Sequence, residues 1–154
     1  MRKLTIDTGM MELEVNGNGL LRFNPSDPNL YDRFAKALDK VTTIENGLVE
    51  KAKALPHGES NGVQVVNLMA EADMEVKRLL QEVFGQENDF DQLLGGVNLM
   101  AVATNGERVI TNLLDALRPI IEDGTKNFYN ERANKAVAEA KANREQRRAA
   151  SHKK

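Results

Sequence analysis

Over three long stretches of this chain the apolar residues recur every three or four positions, and in the last stretch they stop partway. Tyr31, Phe34, Leu38, Val41, Ile44 and Leu48 keep helical spacing, as do Val65, Leu68, Met69, Ala72, Val76, Leu79, Leu80 and Val83. Val109, Ile110, Leu113, Leu114, Leu117, Ile120 and Ile121 form the third set. A stripe of this period is the face that a helix buries, so helices are predicted over about 28–54, 63–84 and 107–145, with a short turn at about 89–94. Asn46-Gly47 is a candidate break in the first helix. Pro119 should kink the last, and Gly124 is a second weak point in it. Beyond Phe128-Tyr129 the stripe ends, and Ala, Lys, Arg, Glu, Gln and Asn dominate residues 130–150. Such a segment favours helix but has little to bury, which describes a frayed or partner-dependent helix.

The first 24 residues follow a different period. Leu4 and Ile6 alternate with polar residues, and so do Met11, Leu13 and Val15 around Glu12 and Glu14. Period two reads as half-buried strand. Asn16-Gly17 tolerates the positive φ angles of a tight hairpin turn, and Leu20-Leu21-Arg22-Phe23 returns from it. The expectation is a β-hairpin with residues 3–7 as a candidate third strand. Asp27 then caps the first helix with Pro28 at its first position, and Gly85 ends the second. The fold class is therefore mainly α (α+β): a hairpin, a helical domain and a long kinked C-terminal helix.

A chain of 154 residues can bury the core of one domain. Aromatics are 5% and Trp is absent, so Leu, Val, Ile, Met and Ala are expected to carry that core. Without Cys there is no disulfide, thiolate or iron–sulfur chemistry, and a reducing cytoplasm is the expected setting. No signal-peptide run follows Met1, and no stretch has the length of a membrane span. Residues 125–154 carry nine Lys/Arg against three Glu, a net of +6, which leaves residues 1–124 at −8 in a chain of net −2. That divides it into a hairpin-plus-helix core domain (1–124) and a basic arm (125–154), helical or disordered. An acidic body with a basic arm suits an interaction protein.

Residues for chemistry are scarce. His57 sits in a Pro/Gly loop and His152 near the end, and neither has a rigid partner for a nucleophile relay. Glu87-Asn88-Asp89-Phe90-Asp91 looks like the start of a calcium loop, but the sixth position is Gln92 where Gly is required, so helix capping explains it better. Gly95-Gly96 lacks the Gly-Lys-Ser/Thr ending of a phosphate loop, and Gly17 and Gly19 belong to the hairpin turn. We expect no catalytic residues, no metal and no cofactor, hence no enzyme. The arm supplies the expected partner contacts: Phe128, Tyr129, Arg132, Lys135, Arg144, Arg147 and Arg148. Phe128 and Tyr129 serve equally well as core. The partner expected is another protein. Nucleic acid is a weaker reading, because the basic cluster has no stacking aromatics and the chain is acidic overall. Met69 and Met100 are expected in the core.

The order of parts carries a resemblance. Met11-Glu12-Leu13-Glu14-Val15-Asn16-Gly17 leads to Leu21-Arg22-Phe23-Asn24-Pro25-Ser26-Asp27. Leu79-Leu80-Gln81-Glu82-Val83-Phe84-Gly85 follows, then Leu94-Gly95-Gly96-Val97-Asn98-Leu99-Met100-Ala101-Val102 and a Leu-rich helix with a Lys/Arg/Ala tail. Over most of residues 11–135 this resembles the tail assembly chaperones of siphophages and prophages of Gram-positive bacteria. Its motifs are turn and packing signals, with no catalytic signature among them. The resemblance implies a helical, oligomerising protein of the host bacterial cytoplasm that coats the tape-measure protein and leaves as tail-tube subunits polymerise. It also implies a frameshifted longer form, for which Lys153-Lys154 would be encoded by a slippery A-rich run. Two other roles stand beside it: a structural tail or connector component that stays in the virion, and a regulator touching nucleic acid through the arm.

Overall fold

The computed structural model describes residues 1–56 and 61–152, with side chains except those of residues 127–132, 151 and 152. It is mainly helical behind a two-stranded hairpin, the expected class. Strands β1 (Met11–Glu14) and β2 (Leu20–Phe23) pair antiparallel, with Met11 opposite Phe23 and Leu13 opposite Leu21. Asn16 and Gly17 take φ of 53° and 72°, the left-handed pair that twists a turn to match its strands. Leu21 and Phe23 face the core, while Glu12 and Arg22 pair at 3.2 Å on the outer face.

Residues 3–7 correct the expectation of a third strand, since they pair with nothing among the described residues. A bend holds them off the sheet. The Gly9 N–H donates to Asp7 Oδ1 at 2.9 Å, and Asn24 Nδ2 donates to the Thr8 carbonyl at 2.9 Å.

Helix α1 (Pro28–Lys53) starts as its sequence requires, with Asp27 accepting from the Asn29 N–H and Pro28 in the first turn. It runs unbroken through Asn46-Gly47. A helical Gly costs about 1 kcal/mol against Ala, less than the burial of neighbouring Val41 and Leu48 returns. Helix α2 (Asn61–Phe84) ends at Gly85, whose φ of 112° few other residues tolerate. One turn of α3 (Phe90–Leu93) follows, and Asp89 caps it by accepting from the Asp91 and Gln92 N–H groups. Calcium-loop geometry is not what these carboxylates serve.

Helix α4 (Val109–His152) opens without a side-chain cap. The carbonyls of Ala101 and Leu99 instead accept from the Val109 and Ile110 N–H groups, at 2.9 and 3.0 Å. It continues through Pro119, which is exposed. The missing N–H deprives only the Asp115 carbonyl, on an exposed residue that water can serve. Gly124 is no weak point. It is buried where the helix crosses the backbone, and a Cβ there would lie 2.6 Å from the Pro25 carbonyl carbon.

Leu, Val, Ile, Met and Ala make up most of the core, as expected, but aromatic rings join its parts. Phe84 stands at its centre, with ring centroids 5.2 Å from Phe23, 6.3 Å from Phe34 and 5.5 Å from Phe90. Four rings from four elements meet there, tying the hairpin, α1, α2 and α3 together. Met100 is buried and Met69 packs against the cluster, as expected.

Candidate partner-binding surfaces

Two polar clusters inside the body were invisible as sites in the sequence, and both turn out to be clamps. Asn88 is only 1% exposed. Its amide accepts from the Arg22 N–H at 2.9 Å and donates to the Arg22 carbonyl (2.9 Å) and the Phe84 carbonyl (2.8 Å). The side chain thus acts as one residue of a neighbouring strand on the far edge of β2. Lys77 is the second. Its ammonium has three donors, and they go to Asp73 (2.9 Å), Asp91 (2.6 Å) and the Val97 carbonyl (3.0 Å). Burial pulls the Lys77 pKa down, but the hydrogen bonds and charges of Asp91 and Asp73 outweigh it and leave it above the ordinary value. A lysine nucleophile needs the opposite shift. Asp73 also accepts from the Leu99 N–H at 2.7 Å, so the cluster staples the loop before α4 onto α2. The only signal for it in the sequence is Asp73 and Lys77 four residues apart.

The surfaces that face outward are a groove with an acidic majority of charge, an apolar strip on one helix and a basic arm. Between α1 and α2 lies an open groove with a volume of about 450 Å³. Ile44 and Leu79 line it, and Asp39, Glu75 and Glu82 outnumber Lys40 and Arg78 around them. A second hollow of about 190 Å³ extends it past Leu48, Leu68 and Ala72. Together they run along the seam between the two helices, with aliphatic side chains at the base and an acidic majority of charge around them. On its outer face α2 exposes Val63, Val66 and Met74. Spacings of three and eight residues put these on one side of the helix. The apolar stripe of the sequence does not include them, because α2 has more apolar residues than one buried face can use.

The third surface is the arm. Every side chain from 133 to 150 is exposed. At about 100° per residue, Val137, Lys141, Arg144 and Arg148 share one face, with Arg147 at its edge. Lys135, nine residues before Arg144, lies half a turn away from it. Of the expected contact residues, the helix thus groups Arg144, Arg147 and Arg148, and separates Lys135 from them. The side chains of Phe128, Tyr129 and Arg132 lie outside the described residues, as does His57, and so does the side chain of His152.

Among the described residues, no three of His, Cys, Asp and Glu gather closely enough to hold a metal, and no helix is long and apolar enough to cross a membrane. No family model matches the chain, and no curated protein and no solved structure shows significant similarity to it.

Proposed function

We propose that this chain is a non-enzymatic assembly chaperone of the phage-tail type, which holds an extended helical client, the tape-measure protein, in the host bacterial cytoplasm. The observation that carries this reading is the arm: at least 18 consecutive helical residues with every side chain in water and a cationic face, on an acidic body. A monomeric enzyme gains nothing from ordering such a helix, whereas a protein that grips another gains a lever. The apolar groove between α1 and α2 supports the same reading, since it offers a client helix the burial that the arm cannot. Phage-tail identity rests on the resemblance in sequence, and non-enzymatic action is supported by polar clusters whose groups are spent on structure.

Pull-down of a co-expressed tape-measure protein tests it. Full-length protein should capture the client. The triple variant Arg144→Glu, Arg147→Glu, Arg148→Glu should lose most of that capture, and Ile44→Asp in the groove should weaken it. Equal capture by all three proteins would remove both surfaces from the mechanism. Mass spectrometry of purified virions separates the chaperone from a structural tail or connector component, which alone would be found there.

The grouping of Arg144, Arg147 and Arg148 with Lys141 favours one second reading, a regulator that touches nucleic acid through the arm. Phosphate contacts of this kind are released by salt, so filter binding at low and high salt decides it. Absence of retention at low salt ends that reading.

A further inference from the structure

We propose that the open edge of β1 takes residues 3–7 of a second copy of this chain as its third strand. The two edges of the hairpin differ. On β2, both backbone groups of Arg22 are occupied by the Asn88 amide, so they point away from β1. In an antiparallel pair, residues opposite one another turn their backbone groups the same way, inward or outward. Glu12, opposite Arg22, and Glu14, opposite Leu20, therefore present their N–H and C=O groups to the free side of β1. Among the described residues nothing hydrogen-bonds to them there. An edge of this kind is a template for another strand.

The segment that fits it is on the same chain but off the sheet. Lys3-Leu4-Thr5-Ile6-Asp7 alternates with the period of a strand, yet Leu4 is 87% and Ile6 67% exposed. Three residues separate it from β1, and the bend at Gly9 and Asn24 fixes its departure. A Cβ at Gly9 would meet Asn24 Nδ2 at 2.8 Å, so the chain passes close against that side chain. Pairing in trans supplies what this bend denies in cis.

Charge sets the faces. With Leu4 and Ile6 on the side of Leu13, Lys3 and Thr5 fall on the side of Glu12 and Glu14. Glu12 is already paired with Arg22, whereas Glu14 makes no ion pair among the described residues, so Lys3 meets a free carboxylate. Each copy carries one donor strand and one acceptor edge, and strand exchange either closes as a reciprocal dimer or continues as a chain.

Two variants separate the roles. Leu4→Asp with Ile6→Asp removes the donor at exposed positions. Glu14→Pro removes an outward N–H from the acceptor edge while leaving the bonds to β2 in place. Light scattering on a sizing column should give wild type a mass above the 17.1 kDa of one chain, and each variant the mass of one chain with an unchanged circular dichroism spectrum. Mixing the two should restore a species of twice that mass, because one supplies the strand and the other the edge. Should Glu14→Pro disturb the hairpin, Glu14→Lys replaces it, and adding Lys3→Glu to Glu14→Lys should recover association. A wild type that stays at one chain mass across the micromolar range overturns the proposal. So does a donor variant that associates like wild type, or a mixture that stays monomeric. An edge reserved for a client segment would give the first of these results.

Discussion

Helix α4 belongs to two different regions of the molecule. Its first four turns bury Ile110, Leu114, Leu117 and Ile121 in the body and end at Gly124, pressed on Pro25. From residue 133 to residue 150 the same helix has no buried side chain at all. The helix is continuous through both, and the one bond that Pro119 removes lies in the body half, so hydrogen bonding along the helix does not favour the body. What differs is tertiary burial, from which most helical stability in proteins comes. The body is held by packing that the chain supplies for itself. The arm has only its intrinsic propensity, from Ala, Lys, Arg, Glu and Gln.

The comparison breaks most visibly at Asn88. Asn88→Ala strands the Arg22 N–H and the Phe84 carbonyl and opens the far edge of β2, at a cost of about 3 kcal/mol. Urea unfolding should show the whole transition moving to lower denaturant, and an unmoved midpoint would mean that water replaces the amide freely. Gly124→Ala should cost somewhat less, about 2 kcal/mol, as the helix shifts off Pro25 to admit one methyl group. Here the expected sign opposes helix propensity, by which Ala is favoured over Gly by about 1 kcal/mol. A stabilised Gly124→Ala would show that the close contact with Pro25 does not form.

These two residues also mark where the sequence stops being legible. Periodicity located the hairpin and the helices, and residue type located the caps at Asp27 and Gly85 and a capping role within residues 87–91, because each depends on neighbours within a few positions. Asn88 is bonded to Arg22, 66 residues away, and nothing near it in the chain reports that. Gly124 reads as a helix breaker until Pro25 is placed against it. The aromatic cluster stayed hidden for the same reason: composition counts few rings but cannot show that Phe23, Phe34 and Phe90 all meet Phe84. The third strand was expected from a pattern that is real, and the bend at Asp7 and Gly9 that keeps it off the sheet depends on Asn24. As for the candidate surfaces, the loss of apolar residues after Tyr129 announced the arm. The groove was hidden, since it forms between two helices whose crossing no local pattern fixes.

A smaller effect comes from Lys77. Its pKa is above the ordinary value in the folded protein, so the native state holds this proton more tightly than the unfolded chain. The stabilisation is complete below the ordinary lysine value of about 10.4 and is lost as pH rises through the folded value. Thermal melts above about pH 10 should therefore show wild type falling relative to Lys77→Met, which has no such proton to lose. Parallel curves would mean that the ammonium is solvated and that the loop before α4 is held by Asp73 and by Asn98, whose Nδ2 donates to the Met69 carbonyl at 3.1 Å.

The smallest effect sharpens the contrast most, because one substitution is made in both regions. Ala72→Gly on α2 and Ala140→Gly on α4 each place Gly inside a helix, at an intrinsic cost of about 1 kcal/mol. Ala72 is buried against the core, so its variant should lose that amount and the contacts of the methyl group, and the global midpoint should fall. Ala140 is exposed, on a segment that buries no side chain from residue 133 to residue 150. Its variant should lose helical ellipticity while the midpoint stays where it was, within about 0.5 kcal/mol. If the midpoint falls with Ala140→Gly, the arm is packed on something in solution, and a second copy of the chain is then the first surface to test. Dilution separates the two cases, since a contact between copies weakens with concentration and one within the chain does not.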